Sequence, residues 1–209
     1  MKTFSVVGAT GLVGQSVLQL ALSDSRVSRV VAPTRRRLSP HPRLENPLVN
    51  FDALPSEAAF WAVDAVICTL GTTIKKAGSQ AAFRKVDHDY VLAIAKLARS
   101  HGAAAFALTS SLGANPRSRT FYLRTKGEVE PALGTCGFPS LTIVRPSFIG
   151  GTRVERRPLE ALALTFFGGI ARLLPRRYRV VPAERIAKAL IEASLAAEPG
   201  VRIVDSESI

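Results

Sequence analysis

Tyr122 and Lys126 are four positions apart in a segment with helical periodicity, so their side chains would share one helix face. Tyrosine ordinarily titrates near pH ~10, and a neighbouring ammonium group favours its phenolate form. Such a pair can donate a proton during carbonyl reduction and accept one during alcohol oxidation. A hydroxyl group of Ser111 or Ser110, at the end of the preceding apolar run, would hydrogen-bond the developing alkoxide. Because this spacing also arises by chance, the interpretation depends on the surrounding elements.

A glycine-rich turn, GATGLVG at residues 8–14, lies between an apolar run and an amphipathic segment. Gly8, Gly11 and Gly14 would permit a tight turn and let a pyrophosphate approach the unpaired N–H groups at the helix N-terminus. An isolated glycine-rich turn would be a weak signal, but this strand–turn–helix context predicts a dinucleotide site. The alternative is an ordinary turn that binds nothing.

Arginines occupy the position that selects between the two nicotinamide dinucleotides. About 20 residues after the glycines, an NAD-preferring site carries an acidic residue, whereas this chain has Thr34 followed by Arg35, Arg36 and Arg37. A carboxylate repels a 2′-phosphate, and guanidinium groups bind it with charge-assisted hydrogen bonds. NADPH is therefore expected to be preferred over NADH; a solvated basic turn is the alternative. Asp52, after the third predicted strand, is placed to contact the adenine amino group or to cap the next helix.

Apolar runs alternate with amphipathic segments along most of the chain. Strands are predicted at residues 4–7, 30–32, 48–51, 65–70, 104–108, 141–145 and 201–204, and helices at residues 12–22, 80–100, 119–133, 159–173 and 184–196. This alternation predicts an α/β protein with a doubly wound parallel sheet, the NAD(P)-binding Rossmann fold. We expect one domain over residues 1–209, in which residues 150–200 form a small C-terminal lobe that covers the substrate.

Together these motifs resemble the atypical short-chain dehydrogenase/reductases, in particular the branch that contains the mammalian Tat-interacting oxidoreductase. The resemblance covers residues 6–158 and rests on residues 68–73 (CTLGTT), 86–91 (VDHDYV), 122–129 (YLRTKGEV) and 145–146 (RP). It implies cofactor contacts at Thr10, Gly11, Leu12, Val13, Arg35, Arg36, Leu70, Gly71, Tyr122, Lys126, Ile149 and Arg157. Asp87 stands where many members of the wider superfamily carry an Asn that helps to hold a proton-relay water, which puts the standard four-residue relay in doubt.

The function expected from these features is an NADPH-dependent oxidoreductase that transfers a hydride to or from a small carbonyl or alcohol, with Tyr122 as general acid/base. One alternative is a non-catalytic NADP(H)-binding sensor, although such proteins often lack the Tyr/Lys pair. A nucleotide-sugar epimerase or dehydratase is a weaker alternative, because those enzymes usually need a larger C-terminal domain than the residues after Gly150 provide.

The composition of the chain limits the kinds of partner that it is expected to bind. Hydrophobic residues make up 47% of the chain and charged residues 21%, as in ordinary globular proteins. The net charge is +12, but neither basic cluster (residues 35–37 and 153–185) is interleaved with aromatic residues, so nucleic acid is not an expected partner. The second cluster suggests an anionic group on the substrate. No apolar segment reaches the ~20 residues that span a bilayer.

The two cysteines do not suggest a metal site, and the first residues do not suggest a signal peptide. Neither Cys68 nor Cys136 lies in a metal-ligand spacing, so no metal is expected. The first residues show no signal-peptide pattern, and we therefore expect a cytoplasmic protein. A monomer or a homodimer is compatible with all of these features.

Overall fold

A computed structural model describes residues 1–150 and 175–209, and these residues are built around one parallel sheet. Its strands are β1 (Lys2–Val7), β2 (Val27–Val31), β3 (Leu44–Glu45), β4 (Ala65–Cys68), β5 (Ala105–Thr109) and β6 (Ser140–Arg145), and a C-terminal strand (Gly200–Asp205) completes it. Two short strands, β7 (Ile149–Gly150) and β8 (Val181–Pro182), pair with each other outside this sheet. The C-terminal strand, Gly200–Asp205, is labelled β9. The order across the sheet is β3-β2-β1-β4-β5-β6-β9. All neighbours are parallel, and the chain adds strands outwards on one side from β1 and then on the other side from β4. In such sheets, ligands bind at the carboxyl ends of the strands where this change of side occurs, between β1 and β4.

Helices cover both faces of the sheet. They are α1 (Leu12–Ser23), α2 (Ile74–Ala77), α3 (Gln80–Arg84), α4 (Tyr90–Ser100), α5 (Phe121–Gly134) and α6 (Ala183–Ala196). A π-helical turn over Lys85–Asp89 joins α3 to α4, so the helix predicted at residues 80–100 is present in three consecutive parts. The predicted doubly wound sheet is confirmed.

Two apolar cores form because strand side chains alternate between the faces of the sheet. In β1, Val6 packs with α1 and α6, while Val7 packs with α4 and α5. The apolar residues of α6 are buried against α1 and the sheet, including Ile186 and Leu190. The inner strands β1, β4, β5 and β6 are therefore buried on both faces over most of their length, which explains why they appear in the sequence as continuous apolar runs.

The third predicted strand, residues 48–51, is wrong. The strand at this edge is Leu44–Glu45, and Leu48 makes only an isolated bridge with Thr34. Edge pairing depends on backbone hydrogen bonds, here from Val30 to Arg43 and from Ala32 to Glu45, which do not require apolar side chains. The helix predicted at residues 159–173 lies outside the described residues, as do Arg157 and three more of the eight arginines in the basic cluster at residues 153–185.

Within residues 1–150 and 175–209, no helix is both long enough and apolar enough to cross a bilayer. In the same residues, no three His, Cys, Asp or Glu side chains are grouped in a way that could hold a metal ion.

Candidate dinucleotide and catalytic site

The glycine turn connects the carboxyl end of β1 to α1, and two of its glycines are required by close backbone contacts. Gly8 has φ +85°, and a Cβ atom there would lie 2.8 Å from the carbonyl carbon of Thr69. A Cβ atom on Gly14 would lie 2.0 Å from the carbonyl oxygen of Gly8. The turn therefore packs directly against the end of β4, and side chains at these positions would fill the space.

The N-terminus of α1 has the properties of an anion site. Gly11 caps the helix with no side-chain hydrogen bond, and the first turn carries no acidic residue. Thr10 and Gly11 are exposed, Leu12 is half-buried, and Val13 is buried in the core. A pyrophosphate could therefore reach the backbone N–H groups and partial positive charge of this helix end, with Val13 offering only its main chain. These features fit the predicted dinucleotide.

The three arginines lie directly after β2, at the adjacent strand end. Arg35, Arg36 and Arg37 are all exposed, and none forms an ion pair within the described part of the chain. Thr34, which precedes them, is buried. Three uncompensated guanidinium groups next to the glycine turn would attract a phosphate group.

Asp52 takes part in a cluster with Lys85 and Tyr90. The Lys85 ammonium lies 2.5 Å from Oδ1 of Asp52, and the Tyr90 hydroxyl donates to the same oxygen. The hydrogen bonds from Lys85 and Tyr90 lower the pKa of the Asp52 carboxyl. The second oxygen, Oδ2, receives no hydrogen bond within the described residues, so it is the atom that could accept one from adenine.

The segment after β4 lies over a buried ion pair. Nζ of Lys126 is 2.8 Å from Oδ1 of Asp87, and the backbone N–H of Thr72 donates to Oδ2 of Asp87 at 2.9 Å. A Cβ atom on Gly71 would be 3.5 Å from Asp87 Oδ1 and 3.9 Å from Lys126 Nζ. Leu70, whose backbone nitrogen approaches Gly8, links this segment to the glycine turn. The turn, Leu70–Gly71 and Lys126 thus form one continuous row.

Lys126 keeps its positive charge despite being buried. Burial alone lowers the pKa of its ammonium group, but the charges of Asp87 and Tyr122 and the hydrogen bond to Asp87 outweigh that effect and raise the pKa above its usual value. A permanent cation is therefore fixed next to the predicted catalytic tyrosine.

Tyr122 lies one turn before Lys126 on α5, as the spacing predicted. Its side chain is 38% exposed, and its ring packs on Phe83 with a centroid separation of 5.7 Å. Its hydroxyl makes no hydrogen bond within the described residues. The phenol is therefore accessible to a small molecule, while the ring is supported from below.

The two candidate serines have different environments. Ser110 is buried, and its hydroxyl donates to Glu130, which is paired with Arg145. Ser111 is half-buried, and its hydroxyl donates only to the neighbouring Leu112 carbonyl at 3.3 Å, a long hydrogen bond. Ser111 is therefore the serine whose hydroxyl is free to turn towards a ligand.

Ile149 lies in β7, where its partner is Val181 of β8, and it packs against the core on the α1 side. It is half-buried. The segment that follows contains Arg157, so the structure leaves the predicted contact at Arg157 outside the described residues.

Sequence reasoning missed several residues that support this site. Glu130 follows Lys126 by four positions, and this helical spacing could have placed it on the same face of α5. Lys85 and Tyr90, by contrast, contact Asp52 across a long separation in the chain, and no local pattern marks them.

Comparison with known proteins supports the dinucleotide site. The chain matches a family model described as NAD(P)H-binding over residues 8–172. It is 36% identical to the rat protein HTATIP2 over 195 residues, which cover 91% of this chain and 80% of that protein. It is 34% identical over 183 residues to the fmp52 protein of Emericella nidulans, which is named mitochondrial, with 83% and 78% covered. These matches confirm the resemblance inferred from the motifs.

Solved structures show the same fold. WbmH of Bordetella bronchiseptica, in complex with NAD+, has a TM-score of 0.71 at 18% identity, and 99% of this chain and 76% of that chain are covered. The oxidoreductase ylbE of Lactococcus lactis has a TM-score of 0.66 at 18% identity, with 100% and 94% covered. MoeE5 in complex with UDP-glucose and NAD has a TM-score of 0.72 at 16% identity, with 97% and 75% covered.

The expectation of a cytoplasmic protein is wrong. Several fungal relatives, including those of Emericella nidulans and Candida albicans, are named mitochondrial. The expectation rested on the absence of a signal-peptide pattern, which argues against secretion but does not distinguish the cytoplasm from an organelle.

Proposed function

The chain belongs to the NAD(P)H-binding family and is homologous to HTATIP2 and Fmp52, and we propose that it is an NADPH-dependent oxidoreductase acting on a small carbonyl or alcohol. The proposal rests on the continuous row from Gly8 through Gly71 to Lys126, which joins an anion site to a candidate proton donor. In the sequence, the basic cluster at residues 153–185 favours a substrate with an anionic group. We also propose that residues 1–209 form one domain.

The proposed chemistry divides between the cofactor and three side chains. NADPH, when bound, supplies the reducing equivalent. Tyr122 donates its phenolic proton to the carbonyl oxygen, and the fixed ammonium of Lys126 stabilises the resulting phenolate. Ser111 hydrogen-bonds the same oxygen as negative charge develops on it. In the reverse direction, the phenolate accepts the proton of the alcohol.

The preference for NADPH rests on charge. The exposed Arg35 and Arg36 offer guanidinium groups to a 2′-phosphate, and no carboxylate in the described structure neutralises them. NADH lacks that phosphate and gains nothing from these residues. The backbone contacts of the glycine turn and the contact at Asp52 serve both dinucleotides equally.

Calorimetric titration of the purified protein with NADPH, and separately with NADH, tests the proposal. Micromolar binding of NADPH, at least tenfold tighter than that of NADH, is expected. Binding of neither dinucleotide would overturn the proposal. A carbonyl screen that follows NADPH oxidation at 340 nm then tests for turnover, with Tyr122→Phe as the matched inactive variant.

A non-catalytic NADP(H) sensor is the second candidate. The exposed arginines and the α1 N-terminus without a side-chain cap serve a sensor as well as an enzyme. The accessible Tyr122 next to a charged Lys126 favours the enzyme, since binding alone needs no proton donor. Tight NADPH binding without turnover on any carbonyl would favour the sensor.

A further inference from the structure

The side chain of Asn46 closes the turn that carries the three arginines, which we call the arginine turn (residues 35–37). Its amide nitrogen donates to the carbonyl oxygen of Ala32 at 2.6 Å and to Oγ1 of Thr34 at 2.8 Å. Its amide oxygen accepts a hydrogen bond from the backbone N–H of Leu38 at 2.8 Å. One amide group therefore joins the residues before the arginine turn to the residue after it.

Thr34 extends this connection into the turn itself. Its hydroxyl donates to the carbonyl oxygen of Arg36 at 2.6 Å while it accepts from Asn46. Its backbone is also fixed, because its N–H donates to Pro47 and its carbonyl accepts from Val49. Thr34 is 4% exposed, so water competes little for these hydrogen bonds.

The charge on the turn makes this fixation necessary. Three consecutive guanidinium groups repel one another and would favour an extended, mobile segment. The hydrogen bonds of Asn46 and Thr34 hold the backbone in a closed form instead. A turn whose backbone is ordered before the ligand arrives loses less conformational entropy when it binds a phosphate group, so it binds that group more tightly.

The turn is also held at the correct place. Leu38, which follows it, and Thr10 of the glycine turn line the same cavity of about 340 Å³ beside α1. The residue that follows the arginine turn therefore shares a cavity with the glycine turn.

We propose that Asn46 and Thr34 are positioning residues that set the selectivity for NADPH over NADH, by holding the arginine turn in the shape that receives the 2′-phosphate. This proposal rests on the proposed function. This role requires no contact of either residue with the dinucleotide. They act through the position of Arg35 and Arg36.

The test measures the dissociation constants of both dinucleotides for Asn46→Ala and for Thr34→Val, which removes the hydroxyl at nearly constant volume. We expect the Kd for NADPH to rise at least tenfold and the Kd for NADH to stay within twofold. The two ligands differ only in the 2′-phosphate, so NADH reports whether the remaining site is folded. Thr34→Ser, which keeps the hydroxyl, should retain the selectivity of the wild type.

A control variant tests whether removing a turn-closing asparagine elsewhere in the chain also changes dinucleotide binding. Asn115 accepts from the backbone N–H of Arg117 at 2.8 Å and closes a turn after β5. Asn115→Ala is expected to leave both dissociation constants within twofold of the wild type. An equal weakening of NADPH and NADH by Asn46→Ala would overturn the proposal, because the role of Asn46 would then be general.

Arginine variants separate this proposal from the one on which it rests. If Arg35→Ala and Arg36→Ala reduce selectivity while Asn46→Ala and Thr34→Val do not, the positioning role is wrong and the proposed function stands. If the arginine variants also leave selectivity unchanged, the NADPH preference itself fails. Added to the double variant Arg35→Ala/Arg36→Ala, Asn46→Ala should have little further effect on selectivity, because the groups that it positions are already removed.

Discussion

The ammonium group of Lys126 lies 2.8 Å from the carboxylate of Asp87, and the two side chains are only 5% and 0% exposed. The π-helical turn between α3 and α4 carries Asp87 into this position beneath the segment after β4. The family resemblance puts Asp87 where many members carry an asparagine, and in this chain its carboxylate holds the lysine. The ion pair fixes Lys126 at the position from which it can act on Tyr122.

Breaking this ion pair should destabilise the fold strongly. We expect Asp87→Leu to lower the free energy of unfolding by about 3–5 kcal/mol, because it leaves a buried ammonium group without a partner. Asp87→Asn keeps an acceptor for the N–H of Thr72 and should cost less. Urea unfolding measures both changes. The double variant Asp87→Leu/Lys126→Met should lose less than the sum of the single losses; additive losses would show that the two ions do not stabilise each other.

Tyr122→Phe separates chemistry from binding. We expect kcat on the best carbonyl found by screening to fall by about 10²- to 10⁴-fold, because the general acid is lost. The NADPH Kd and the melting temperature should change little, since Tyr122 is 38% exposed and its hydroxyl has no hydrogen-bond partner within the described residues. Tyr90→Phe is the matched variant: it loses the hydrogen bond to Asp52 and should raise the NADPH Kd with kcat nearly unchanged. Full activity of Tyr122→Phe would exclude it as the acid.

Features with local causes could be predicted from the sequence. The glycine turn, the helix that carries Tyr122 and Lys126, and the buried strands each have a pattern within a few residues. The edge strand β3 has none, because its two residues join β2 through backbone hydrogen bonds and one ion pair, between Glu45 and Arg29, and neither requires an apolar pattern.

The contacts that support the site could not be predicted from the sequence either. Asp87 reaches Lys126, and Asn46 reaches Ala32, across parts of the chain that only the fold brings together. A sequence pattern indicates which residues have the right chemistry. It does not indicate which distant side chain holds each of them in place.

Two glycines of α5 should respond oppositely to the same substitution. A Cβ atom on Gly127 would lie 2.2 Å from the carbonyl carbon of Asn115 and 2.4 Å from the nitrogen of Pro116. These are backbone atoms that cannot rotate away, so Gly127→Ala should lower the free energy of unfolding by about 1–3 kcal/mol or more. A Cβ atom on Gly134 would meet nothing within 4 Å, and Gly134→Ala should raise stability by up to ~1 kcal/mol.

Thermal and urea unfolding of both variants measure this contrast. The two substitutions add the same methyl group to the same helix, so a difference in sign isolates the contact with residues 115–116. Equal stability of the two variants would show that the loop moves away from α5 at little cost. Because Gly127 follows Lys126 directly, a shift of α5 in the first variant should also weaken NADPH binding.

Cys68, at the end of β4, should report on opening of the site. Burial raises the pKa of its thiol to about 11, whereas Cys136 is half-buried. The thiolate is the reactive form, and an ordinary thiol ionises near pH 8.5. A raised pKa leaves only a small fraction of the thiol ionised near neutral pH. In a Cys136→Ser variant, reaction with an aromatic disulfide reagent at pH 8 should therefore be much slower than the reaction of an exposed thiol.

In the Cys136→Ser variant, the buried Cys68 thiol reacts with the reagent only when the fold opens. A bound dinucleotide should therefore slow this reaction. At a free NADPH concentration of about 100 times Kd, the folded state gains roughly 2.7 kcal/mol, and the rate should fall about 100-fold when opening is global. NADH at the same concentration should protect less. Rapid modification of Cys68 in the presence of saturating NADPH would contradict its position beneath the cofactor row.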